Sequence, residues 1–402
     1  LWTQQELLVL RAFPSQVRSS RLRRWTATTQ DNRTRKQHYV PRLILRGFSA
    51  DNRSVSQVLV DTGTVIPVSS IATQCYEDYF YGIDGTLEKA FGITEGQFSS
   101  ALGDLSAEHL EKISPDDLHQ IRLFVHYQRM RTLAAAEALN DSTDAFLKKI
   151  LAHVDLPPAP EGFGLDSLRI ELEKPQLMNV YQAAATQPLL LDLEVKFLFA
   201  SRGAGFVVSD HPVVASNQWA EHHPRFGDYD GTSGLALRGL QWFLPLTPTT
   251  CIAVFDPEVY RYGSPKRRVC TIGSRDVRLL NTLQGANAYQ SIFFDPRITP
   301  RDEVQRILRE RSSLLAFRKA VVSEGDLLRP DGTIGQLIQM TSREVKVRRR
   351  LNCIEVVRFD DYDGYRSVVL PVRSAELVEL MHSWSKELDE ISKAAVVKQG
   401  IA

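Results

Sequence analysis

Gly205-Phe206-Val207-Val208-Ser209-Asp210-His211-Pro212-Val213-Val214-Ala215-Ser216 is the stretch on which the fold class turns. Three apolar residues bounded by Gly205 and a Ser-Asp-His-Pro turn read as a short buried strand. Pro212 forces the chain to bend, and Val213 to Ser216 begins a second strand. Behind this point the apolar spacing is helical. Ahead of it, short strand-like runs recur at Gln241 to Leu246, Thr250 to Phe255 and Ala288 to Phe294. Helices first and strands later make an α+β protein: a helix-rich first half, then short, mostly antiparallel strands with flanking helices.

The clearest helix begins at Ser114, an N-cap residue followed by Pro115 at the first helical position. Asp116 and Asp117 stand where the helix dipole favours negative charge. Its pattern predicts a helix to about Asn140. Helical spacing also covers Gln4 to Phe13, Thr86 to Leu105 (interrupted by Gly92 and Gly96) and Leu165 to Ala200. Ser56 to Val68 alternates around Asp61-Thr62-Gly63 and predicts a hairpin. Further helices are expected over Asp276 to Gln284, from Thr299-Pro300 to near Val322, and over Ser374 to Ala395. A strand is expected over Cys353 to Phe359.

Across 402 residues, 49 basic and 48 acidic side chains leave a net charge of +1, but the balance is uneven. Residues 1–36 hold eight basic and two acidic residues, a local +6, which leaves −5 to the remainder. Pro14 to Lys36 lacks periodicity and reads as flexible. Residue 1 is Leu and no Met precedes Met130, so the expectation is a fragment or a leucine-type start, with residues 1–36 a flexible basic arm whose place in the native chain an N-terminal mass would decide: a start near Gln37 would make it non-native. Residues 37–295 are expected to form the main domain and 296–402 a C-terminal α+β extension packed on it. Pro157-Pro158-Ala159-Pro160 reads as a long loop.

A hydrophobic content of 43% excludes wholesale disorder. Cys75, Cys251, Cys270 and Cys353 are widely spaced, which excludes a zinc ribbon and a disulfide framework and fits a reducing cytoplasm. The most apolar stretch, Pro188 to Ala200, carries Asp192, Glu194 and Lys196 and cannot span a bilayer. There is no glycine-rich phosphate loop, no HExxH and no Gly-x-Ser-x-Gly. The Asp-Tyr-Asp-Gly stretches at 228–231 and 361–364 fail as calcium loops, because Phe and Leu fall where oxygen ligands must stand.

Four constellations carry chemistry. In Gln37-His38-Tyr39-Val40-Pro41-Arg42, His38 can act as a general base or metal ligand, or hydrogen-bond locally to fix the chain's entry. Gln128 and Arg131 share an otherwise apolar helix face with Ile121 and Phe124. There they can grip a phosphate or carboxylate, or anchor a loop internally. The neighbouring stripe His119, Arg122, His126 and Arg129 reads as a solvated basic face. Asp210 and His211, with His222, His223, Asp228 and Asp230 behind them, can hold a divalent metal or form a polar surface loop. Lys266-Arg267-Arg268 and Lys346 to Arg350 join the arm as basic patches for nucleic acid.

The order of these motifs resembles the bacterial family Domain of Unknown Function 4238. The likeness rests on His38-Tyr39-Val40-Pro41-Arg42 with Leu45 and Phe48, and on a helical Glu at Glu88 or Glu95. It continues through Gln128, Arg131 and Thr132, then Ser209, Asp210 and Pro212, Leu244 to Pro248, and Leu280-Asn281. It covers roughly residues 37–295. His211 stands where the family commonly has Asn. The resemblance implies a soluble bacterial protein and supplies no activity. It does lead us to expect His38, Gln128, Arg131, Asp210 and Asn281 in one polar pocket. The resulting expectation is a hydrolase acting on a phosphate-containing substrate, of nuclease or phosphodiesterase type. His38, Arg131 and Asp210 would be catalytic, Gln128, Asn281 and Arg42 would bind substrate, and Asp210 and His211 would hold any divalent metal. The rival is a non-catalytic nucleic-acid- or protein-binding protein in which these residues form a structural network.

Overall fold

The computed structural model describes residues 8–9, 35–154, 164–222, 234–314, 321–328, 332–341, 347, 349–357 and 372–398. The Gly205–Ser216 stretch passes between two sheets. Val208–Ser209 is an edge strand of a four-stranded antiparallel sheet, ordered Val65–Ser70, Ser54–Leu59, Ser291–Phe294, Val208–Ser209. Val214–Ser216 is an edge strand of a five-stranded sheet, ordered Val269–Ile272, Glu194–Ala200, Thr250–Phe255, Gln241–Thr247, Val214–Ser216. Only the Val269–Ile272 pairing in that sheet is parallel. The turn Asp210-His211-Pro212 is therefore the crossover from one sheet to the other, and the α+β class stands.

Helices Thr86–Leu102, Pro115–Met130 and Pro175–Ala185 pack together and against the five-stranded sheet. One continuous core runs from the stacked rings of Phe98 and Phe124, 3.7 Å apart, to Phe197, Trp242 and Phe255 on the sheet. A smaller core under the four-stranded sheet joins Val58, Val207 and Ile292 to Val304 and Ile307 of the Arg301–Leu314 helix.

Several expectations are corrected. The long helix ends at Met130. Arg131 leaves helical geometry, and the Thr132 side chain accepts from Ala135 N to cap a new helix, Leu133–Leu151. The end of the supposed helical span is the strand Glu194–Ala200, where Val195, Phe197 and Leu198 are buried. Val322 lies in a strand, Val321–Leu328, because the helix before it ends at Leu314. The basic stripe is not a solvated face: His126 is buried and stacks on Trp242 at 5.5 Å, and Arg122 donates to Leu193 O. Of the expected Gln4–Phe13 helix only Leu8–Val9 is described, as a strand paired with Glu171–Leu172. The rest of the arm up to residue 34, and both Asp-Tyr-Asp-Gly turns with His223, lie outside the described residues.

Candidate functional site

His38 ends the strand Lys36–His38, which pairs with Tyr76–Asp78 and places its ring 5.8 Å from that of Tyr76. The preceding residue holds the strand in place. Gln37 is fully buried, donates to Gly82 O (2.8 Å) and accepts from Tyr81 N (2.6 Å). Alternation then points Gln37 inward and Lys36 outward, with Lys36 Nζ over the Tyr76 ring. After Tyr39 and Val40, Pro41 stands at the head of the short helix Arg42–Arg46, so Arg42 and Arg46 lie one turn apart. The helix ends at Gly47, where an added Cβ would lie 1.8 Å from the Leu246 carbonyl oxygen. Only glycine allows that approach, which ties this segment to the Leu244–Pro248 strand end.

These residues border a cleft of about 360 Å³, lined by Lys36, His38, Arg42 and Arg46 together with Glu88, Glu95 and Gly96 of the Thr86–Leu102 helix. His38 is 8% exposed and its Nε2 has no hydrogen-bond partner. Burial lowers its pKa to about 4, helped by the Arg42 and Lys36 charges and opposed by the Ala72 carbonyl. The imidazole is therefore neutral at physiological pH. Glu88 moves the other way: burial first, and then the Glu95 charge, raise its carboxyl against the Arg131 and Arg42 charges.

Beneath the cleft lies a first polar assembly. Glu95 receives the Arg131 guanidinium at 2.9 Å, and Arg131 Nε donates to Gln128 Oε1 at 2.9 Å. Gln128 Nε2 in turn donates to Tyr39 O, also at 2.9 Å. Arg131 is 2% exposed, with the Phe91 ring 4.5 Å from its guanidinium carbon. Glu95, not Glu88, is thus the acid that completes the Gln128–Arg131 set, and Arg131 reaches the cleft only through it.

A second assembly surrounds the crossover turn. The Asp210 carboxylate accepts from Tyr289 N (2.8 Å), Gln290 N (2.6 Å) and Ser291 N (3.3 Å). Burial nevertheless pushes its pKa up to about 6. On the Ser274–Asn287 helix, Asn281 accepts from Val207 N and donates to Gly205 O. Gln284, one turn on, accepts from Ser209 N and donates to Pro212 O. Asn287 donates to His211 O, and His211 Nδ1 meets Thr132 Oγ1 at 2.6 Å, which joins the two assemblies. Side-chain amides here serve backbone groups that a neighbouring strand would otherwise satisfy.

Of the expected site residues, His38 and the substrate-binding candidate Arg42 line the cleft. Gln128 and Arg131 lie in the first assembly, and Asp210 and Asn281 in the second. Asp210 and His211 turn their atoms to peptide N–H groups and Thr132, an arrangement that does not fit a divalent ion. Among the described residues no three His, Cys, Asp or Glu side chains gather as a metal site requires. Among the basic patches, Arg267 pairs with Glu111 at 2.7 Å and Arg349 with Glu310 at 3.6 Å. Sequence reasoning missed Lys36, Arg46 and Gln284. The i, i+4 spacing of Arg42 and Arg46 and the i, i+3 spacing of Asn281 and Gln284 were the available signals.

No helix among the described residues is long and apolar enough to cross a membrane. No curated protein and no solved structure matches this chain. The family model described as Protein of unknown function (DUF4238) matches residues 36–297, a span that contains the cleft and the named motifs of both assemblies, and the chain belongs to that family.

Proposed function

We propose that the chain is a cytoplasmic hydrolase acting on a small phosphate-containing substrate held in the His38 cleft. The observation that carries this reading is His38 itself: a buried, neutral imidazole with an unpaired Nε2, in a cleft lined by Lys36, Arg42 and Arg46. Arg42 and Arg46 make no ion pair among the described residues and are available to an anion. A bound phosphate brings negative charge beside His38 and raises its pKa from about 4 towards neutrality, where an imidazole accepts a proton from water most effectively. Arg131 holds Glu95 in place, and Asp210 shapes the crossover turn; neither touches the substrate in this reading.

The test is a screen of aryl phosphate mono- and diesters and a single-stranded oligonucleotide, with and without added divalent cations, against the chain and His38→Ala. Turnover that disappears in His38→Ala supports the assignment. Turnover that survives the substitution overturns it. A second reading, a non-catalytic binding protein, is favoured by the hydrogen bonds that Gln128, Asp210 and Asn281 make to backbone groups. Saturable phosphate binding without turnover selects it.

A further inference from the structure

We infer that the ligand of this cleft is a small zwitterion, with its phosphate against Arg42 and Arg46 and a protonated amine against Glu88. This rests on the phosphate-site reading and specifies the other end of the ligand. The two carboxylates of the Thr86–Leu102 helix stand two turns apart and both line the cleft, but they are not equivalent. Glu95 is taken by Arg131. Glu88 is half-buried, yet makes no hydrogen bond or ion pair among the described residues. A carboxylate removed from part of its water without a partner is unfavourable, and a cation placed beside it reverses that. Burial and the Glu95 charge raise the Glu88 carboxyl, and the Arg131 and Arg42 charges offset them only in part, although neither forms an ion pair with it.

A separate helix supplies the complementary half. Arg42 and Arg46 belong to Arg42–Arg46, so the cleft holds two cations from one helix and, from another, a carboxylate that forms no ion pair among the described residues. For a ligand bearing only phosphate, Glu88 is a like charge and weakens binding. For a ligand with charges of both signs, every group in the cleft attracts. At about 360 Å³ the cleft is near the small end of the range for ligand sites, so amine and phosphate belong to one compact molecule. Gly96 borders the cleft with nothing within 4 Å of its missing Cβ, which leaves that part of the helix wall open to a ligand.

Calorimetric titration of the full chain with O-phosphoethanolamine, ethyl phosphate and ethylamine tests this. O-Phosphoethanolamine should bind about tenfold more tightly than ethyl phosphate, the factor expected of one charge-assisted hydrogen bond. Glu88→Gln should abolish that preference while ethyl phosphate, freed of the like charge, binds no more weakly than before, and Glu88→Asp, which keeps the charge, should retain most of it. Equal binding of the two phosphates by the unmodified chain overturns the zwitterion inference and leaves the phosphate site standing. A preference that persists in Glu88→Gln overturns it as well. If ethyl phosphate does not bind, or binds equally to Arg42→Gln/Arg46→Gln, the phosphate reading itself falls.

Discussion

Replacing Asp210 by Asn and following stability against pH sets two effects at the crossover turn against each other. Burial favours the neutral acid, whereas three backbone N–H donors favour the carboxylate. With burial ahead, the folded-state pKa rises from 3.8 to about 6. The native state then binds a proton that the unfolded chain has already released. The stabilising contribution is complete below pH 3.8 and is lost as pH rises through about 6. At about 1.4 kcal/mol per unit, the roughly two-unit shift amounts to about 3 kcal/mol between the two limits. Among the described residues, Arg311, Tyr39 and Cys75 are the ionisable groups whose interaction with Asp210 is felt, and burial keeps both the Tyr39 hydroxyl and the Cys75 thiol neutral across this window. Asn cannot titrate and turns its NH₂ towards a peptide N–H, so the variant is less stable at pH 4. Urea unfolding of both proteins at pH 4, 5, 6 and 7 should show that deficit shrinking by about 2 kcal/mol across this window, since at pH 4 the unfolded acid is already mostly ionised. Subtracting the variant cancels the other carboxylates and histidines. A deficit constant to within about 0.5 kcal/mol, or one that grows with pH, would refute the reasoning; growth would mean that the N–H donors outweigh burial.

Three further substitutions test packing and backbone. Gln128→Ala leaves the Tyr39 carbonyl and Arg131 Nε without their partner and should cost about 2–5 kcal/mol in denaturant unfolding. Gly47→Ala drives a Cβ into the Leu246 carbonyl and should cost about 2 kcal/mol or more, with a correspondingly lower Tm. Gly92→Ala meets open space within the Thr86–Leu102 helix and should stabilise it by about 1 kcal/mol, read as a rise in urea midpoint.

Elements were legible where local chemistry and packing agree. Ser114-Pro115-Asp116-Asp117 starts a helix where it was expected, with the Ser114 side chain accepting from Asp117 N. The hairpin around Asp61-Thr62-Gly63 forms between Ser54–Leu59 and Val65–Ser70. Elsewhere tertiary contacts override the local signal. The apolar period runs unbroken through Arg131-Thr132, but Arg131 is held by Glu95 across the bundle, and the Thr132 hydroxyl both caps the next helix and meets His211. Glu194–Ala200 hid for a related reason. Lys196, polar in any pattern, is 3% exposed because its ammonium donates to Ser264 O and also to Arg267 O. A buried lysine satisfied by carbonyls from a distant loop cannot be foreseen from spacing.

The candidate site shows the same limit more sharply. Asn, Gln and Asp beside apolar residues mark either a polar pocket or a place where side chains replace missing backbone partners, and the two leave the same trace in sequence. What separates them is the length of the neighbouring strands. Val208–Ser209 has two residues and one neighbour, so the peptide groups from Gly205 to Pro212 need partners that the sheet does not provide. Asn281 and Gln284 meet that need from one helix face, and Asp210 does the same for the amides of Tyr289 to Ser291. His38 differs because its Nε2 answers no such need and is left unpaired beside three cations. By this criterion of unmet hydrogen-bonding capacity at a cleft, His38 and Glu88 stand apart from the polar residues of the two assemblies, and substitutions there should alter ligand binding before they alter stability.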